Sequence, residues 1–74
     1  SYVEAQINPC SSKMQLSLYG SNSVGGTKTL LGSVTSSTSS SKFITRSNDY
    51  RYYNIVVKNI GSTTSTTHVF ISTD

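Results

Sequence analysis

The chain has 74 residues, six Lys or Arg against three Asp or Glu, and a formal net charge of +3. So short a chain hides only about 60% of its unfolded surface on folding, which leaves a thin core and no room for a second domain. One Cys and one His exclude an internal disulfide and the usual structural zinc site within one chain, and no stretch reaches the roughly 18 apolar residues that a membrane helix needs.

Period-two alternation runs through the sequence, and no window carries apolar residues at helical spacing over three turns. Val3, Ala5 and Ile7 alternate against Tyr2, Glu4 and Gln6, predicting a first strand over 2–7. Asn8-Pro9 breaks it, because proline has no ladder donor and restricts its predecessor. Cys10 is expected to pack as a small buried apolar group or to pair between chains. Met14, Leu16 and Leu18 then alternate against Lys13, Gln15, Ser17 and Tyr19, the pattern of a half-buried strand.

Gly20 to Gly26 supplies turn residues. Thr27 to Val34 is a third strand, in which adjacent Leu30 and Leu31 face opposite ways and imply either a strand covered on both sides or a bulge near Gly32. Seven consecutive Ser/Thr residues, 35–41, read as a loop or an exposed edge crossing the surface. A short fourth strand over 42–45 precedes turn chemistry at Arg46-Ser47-Asn48-Asp49. Tyr50 to Asn59 is the strongest strand signal; apolar groups on both of its faces predict a central strand. A turn through Gly61 and a final strand over 66–73 would complete a hairpin with it, whose register the pattern leaves open.

The expectation is therefore an all-β fold, a small antiparallel β-sandwich (immunoglobulin-like or jelly-roll-like) of about six or seven short strands, without significant helix, over 1–74 as one domain. The strand 2–7 is expected to be exchanged between copies or to pair at an edge. The chain begins at Ser1 rather than Met, which points to a processed product, a tag remnant or an excised piece.

The run Leu16-Ser17-Leu18-Tyr19-Gly20-Ser21-Asn22, then Leu30-Leu31-Gly32-Ser33-Val34, Phe43-Ile44-Thr45, Tyr50 to Val57 and a last Thr/Val strand resembles small β-sandwich modules of phage virion accessory proteins and bacterial surface proteins. The resemblance spans 13–73. Such modules often carry a tryptophan after the Asn-containing turn, where this chain has Val24-Gly25-Gly26. The resemblance implies a structural or surface-recognition role in an external assembly and carries over no catalytic residue.

Candidate chemistry is sparse. A Ser-His-Asp arrangement would have to use His68 with Asp49 or Asp74, and no serine sits in a nucleophile elbow. A glycosidase pair would have to come from Glu4, Asp49 and Asp74, two of them near the ends. Gly25-Gly26-Thr27-Lys28 lacks the spacing and the following helix of a phosphate loop. The cations Lys13, Lys28, Lys42, Arg46, Arg51 and Lys58 stand singly, without the clustered stripe that nucleic acid requires. An enzyme, a cofactor or a nucleic-acid partner is not expected.

The best binding candidates are Asn48, Asp49, Tyr50, Arg51 and Tyr52, where aromatic area meets planar hydrogen-bonding groups, as sugar or peptide recognition requires; Tyr50 and Tyr52 are expected on one face, with Arg51 and Tyr53 on the other. Three functions follow in order. The first is a non-enzymatic structural or interaction module of an extracellular, cell-surface or virion assembly that associates with itself or with neighbouring subunits. The second is a carbohydrate- or receptor-binding module using the tyrosine strand. The third is a small secreted antimicrobial or toxin protein.

Overall fold

Alternation becomes six strands in a computed structural model that describes residues 1–8, 12–36, 41–65 and 67–73. They are β1 (Tyr2–Ile7), β2 (Met14–Ser21), β3 (Thr29–Ser36), β4 (Lys42–Ser47), β5 (Tyr52–Asn59) and β6 (Val69–Thr73). The expectations for Pro9 and Cys10, and for most of the 35–41 loop, lie outside the described residues. No helix occurs among the described residues. All pairings are antiparallel, in two three-stranded sheets of order β4-β1-β6 and β3-β2-β5.

One core joins the two sheets. Val3, Ala5 and Ile7 of β1, Ile44 of β4, and Met14, Leu16 and Leu18 of β2 are buried together. Each is an inward member of its strand's alternation, and β1 and β2 are the middle strands of their sheets. Facing middle strands give the thin core its most complete exclusion of water, because flanking strands cover each of them on both edges. Ser21 and Ser36 are also buried; the Ser21 hydroxyl donates to the Ser23 carbonyl at 2.7 Å. Among the described residues no buried side-chain nitrogen or oxygen lacks a hydrogen-bond partner, as the cost of burying an unpaired polar group demands.

Several expectations are corrected. β1 is not an edge strand: β4 pairs one side of it, from Tyr2 opposite Ser47 to Ile7 opposite Lys42, and β6 pairs the other. β5 is an edge strand rather than a central one, paired only to β2. Apolar groups on both faces of a strand report what covers its faces, whereas centrality concerns its edges, which lie in the perpendicular direction. β5 and β6 form no hairpin, since the segment 60–68 carries the chain from one sheet to the other. Arg46 and Ser47, expected in a turn, continue β4. β3 runs on to Ser36, two residues into the stretch read as loop.

Of the two alternatives at Leu30-Leu31, the structure has the bulge. Leu18 opposes Gly32 and Tyr19 opposes Leu30, so Leu31 is the extra residue and packs against the core while Leu30 is exposed. Gly20 belongs to β2 rather than to the turn. A Cβ there would come within 2.6 Å of the Tyr50 ring, so the absence of a side chain lets that ring close the end of the core.

The two flanks of the molecule differ. Where β3 meets β4, the Arg46 Nε donates to the Leu31 carbonyl at 2.9 Å, and the backbone at Gly32 lies so close that a Cβ would stand 3.0 Å from Ile44 Cγ2. Among the described residues no side-chain hydrogen bond of that kind joins β5 to β6. Val57, on the inward face of β5 opposite Leu16, is 36% exposed, and Ile71, on the inward face of β6 opposite Ala5, is 42% exposed.

Candidate functional site

The five residues singled out from the sequence divide into two groups. Asn48 and Tyr50 turn inward. The Tyr53 hydroxyl donates to Asn48 Oδ1 at 2.7 Å and accepts from the Tyr50 backbone N–H at 3.1 Å. The Tyr50 and Tyr53 rings meet edge to face, with centroids 6.3 Å apart and planes at 81°. Edge-to-face packing matches the positive rim of one ring to the negative face of the other. Tyr53 also packs against the core, and Tyr50 lies over Gly20. This corner is a plug at one end of the core, held by a hydroxyl used in both directions.

Tyr50 and Tyr52 therefore do not share a strand face. β5 begins only at Tyr52; the chain at Tyr50 and Arg51 is not yet extended, so alternation does not apply to them. Within β5 the predicted faces hold. Tyr53, Ile55 and Val57 oppose Gly20, Leu18 and Leu16 on the inner side, and Tyr52, Asn54 and Val56 oppose Ser21, Tyr19 and Ser17 on the outer side.

Arg51, Tyr52 and Asp49 face outward. The Arg51 guanidinium carbon lies 6.0 Å from the centre of the Tyr52 ring, at the reach of a cation–π contact, and the Arg51 backbone N–H donates to Asn22 Oδ1 at 3.3 Å. The Asp49 N–H bonds the Ser47 carbonyl at 3.0 Å.

Beside Tyr52 an open cleft of about 340 Å³ runs between the start of β5 and the turn after β2. Its β5 wall is Tyr52 to Asn54, and its other wall is Ser23 to Gly25 with Lys28. Gly26 N–H closes the turn onto the Ser23 carbonyl at 3.2 Å. Gly25 has a φ of 74°, the left-handed conformation that glycine adopts without a steric penalty. That turn pushes Val24 out to 82% exposure. The sequence marks 20–26 as a turn and 27–34 as strand, whereas β3 begins only at Thr29, and neither pattern brings Val24, Lys28 and Asn54 to Tyr52. The alternation of β5 placed Asn54 beside Tyr52; nothing local to the turn placed Lys28 there.

The other candidate residues stay apart. β1 runs from Tyr2, opposite Ser47, to Ile7, opposite Lys42 and Val69. Asp49 therefore follows one end of this sheet and His68 precedes β6 at the other. Glu4, expected near a loose end, sits mid-way along central β1 and accepts from Thr45 Oγ1 at 3.4 Å. Asp74 lies outside the described residues. Among the described residues no three His, Cys, Asp or Glu side chains gather where they could hold a metal ion.

The six cations are all exposed, scattered over both sheets and their connections. No family model matches the chain, and no curated protein or solved structure matches it.

Proposed function

We propose that the chain is a non-enzymatic interaction module of an extracellular, cell-surface or virion assembly, a small β-sandwich of the immunoglobulin-like or jelly-roll-like kind that joins its neighbours through sheet edges. The observation that carries this reading is the open flank. β5 and β6 each pair on one side only, and inward-facing Val57 and Ile71 beside them remain substantially exposed.

Natural sheets blunt their edges with bulges, charges, proline or a covering segment. β3 carries a bulge and is bonded to β4 through Arg46. β6 is Val-Phe-Ile-Ser-Thr, without a charge, and β5 holds Lys58 only near its end. The register of both with their neighbours is regular throughout. A regular apolar edge favours addition of another strand.

The small core supports the same reading, since chains of this size gain stability from neighbours when they lack staples. A composition in which 26 of the 74 residues are Ser or Thr, and the likeness to phage and bacterial surface modules, support an external location. Fractionation of the source with an antibody to the chain tests it. The expected result is co-sedimentation with particles or envelope at a mass far above 8.0 kDa; a free intracellular monomer would contradict it.

A second reading is favoured by the cleft. Tyr52 offers stacking area between the cations Arg51 and Lys28, with the Asn54 amide beside it, a combination suited to a sugar or a surface receptor. Binding on a glycan array that Tyr52→Ala abolishes and Tyr50→Phe retains would support this reading. Absence of binding, or binding insensitive to Tyr52, would remove it.

A further inference from the structure

We infer that the occupant of the β5 edge is a second copy of this chain, paired antiparallel to β5 across a two-fold axis through Ile55. The inference rests on the interaction-module reading above and names the partner. β5 reads Tyr52-Tyr53-Asn54-Ile55-Val56-Val57-Lys58-Asn59. In an antiparallel ladder, directly opposed residues point to the same face. A two-fold axis perpendicular to the sheet then places Ile55 opposite Ile55 of the second copy, Tyr53 opposite Val57, Asn54 opposite Val56, and Tyr52 opposite Lys58.

The central inner-face pairs, Ile55 with Ile55 and Tyr53 with Val57, bring apolar groups together in that register. The same face carries Leu16, Leu18 and Gly20 on β2, so the two cores become continuous beneath a six-stranded sheet of order β3-β2-β5-β5-β2-β3. The axis also draws the two β6 strands toward each other and covers Val57 and Ile71 from both sides, which no single added strand on β5 would do.

In this register each Lys58 lies opposite Tyr52 of the other copy, and the two Lys58 stand six residues, about 20 Å, apart along the ladder, so no cation directly opposes another. Lys58 meets the Tyr52 ring instead, where Arg51 already lies at 6.0 Å. Two cations at one ring, together with a net charge of +3 on each copy, oppose association, and added salt therefore strengthens it by screening. Slipping the axis by one residue to Val56 would set Tyr53 opposite Asn59 instead of Val57, replacing an apolar pair with a mixed one. The Ile55 register avoids this.

The expected strength follows from area. A stable complex buries about 800 Å² on each partner, a large share of the 4561 Å² that one copy exposes. One edge and its flanking side chains cover less, so the dimer is weak and depends on concentration.

Sedimentation velocity from micromolar to millimolar chain is the test. The expected result is a rise from 8.0 kDa toward twice that mass, shifted to lower concentration by added salt. Val57→Lys, which puts a charge onto the inner face, is expected to weaken association at least about tenfold while circular dichroism remains that of a β protein. Ile55→Cys in a Cys10→Ser background is expected to form a disulfide dimer on mild oxidation, because position 55 faces itself. A folded chain that stays at 8.0 kDa throughout, or a dimer that neither substitution alters, would overturn the inference. Neither result would bear on the source fractionation, which tests assembly with other partners.

Discussion

The β3–β4 flank and the β5–β6 flank are built from similar strands and end differently. On the first, a bulge at Leu31 and a hydrogen bond from Arg46 bring two strands of different sheets together, and a Cβ at Gly32 would stand 3.0 Å from Ile44 Cγ2. On the second, two regular strands each have a paired strand on one side only among the described residues, and their inward valine and isoleucine meet water. The difference teaches that a chain with few apolar residues can seal one side of its core with specific contacts and leave the other for association. The sealed flank supports folding, and the open flank is the one proposed to bind.

Substitutions can break or sharpen this contrast. The largest effect is expected at the shared centre. Leu16→Ala, at a fully buried position of β2, should cost about 2–5 kcal/mol, enough to leave a chain of this size largely unfolded in denaturant titration. Next is the plug at the end of the core. Gly20→Ala drives a methyl into the Tyr50 ring and should cost about 1–3 kcal/mol. A null result there would mean that the ring moves freely and that Tyr50 is available as a ligand group.

Tyr53→Phe removes the hydroxyl shared by Asn48 and the Tyr50 N–H. It should lower stability by about 1–2 kcal/mol in thermal or denaturant melts, with sugar binding, where present, unchanged. On the sealed flank, Arg46→Gln deletes an exposed bond to the Leu31 carbonyl and should cost about 0.5–1 kcal/mol. The smallest effect on stability belongs to the open flank. Val56→Ala, at a half-exposed outer position, should stay within about 0.5 kcal/mol. A larger loss in dilute solution would mean that something of the chain itself already covers this face.

Much of the fold was legible where alternation is strict. Val3, Ala5, Ile7, Met14, Leu16 and Leu18 were assigned from period two, and all six are in the core. The Leu30-Leu31 doublet beside Gly32 is compatible with a bulge or with a strand covered on both faces; the structure has the bulge, with Leu30 exposed. What alternation does not encode is which strand lies beside which. β1 read as an edge and β5 as a centre, and the structure reverses both, because side-chain pattern reports the faces of a strand while neighbours bind its edges through backbone groups common to all residues.

The site was legible in part for a related reason. Period two held from Tyr52 onward, and extending it back to Tyr50 failed where the chain bends to lay that ring on Gly20. Val24 and Lys28 reach Tyr52 through the fold, across a turn whose only local mark is its glycine pair.

The most direct test of the open flank is amide hydrogen exchange at two chain concentrations. Outward-pointing amides of β5 should exchange quickly in dilute solution and become protected as concentration rises, while β3, β4 and the middle strands stay unchanged. Protection of β5 that is already complete at low concentration, or that rises equally on the β3–β4 flank, would contradict the account.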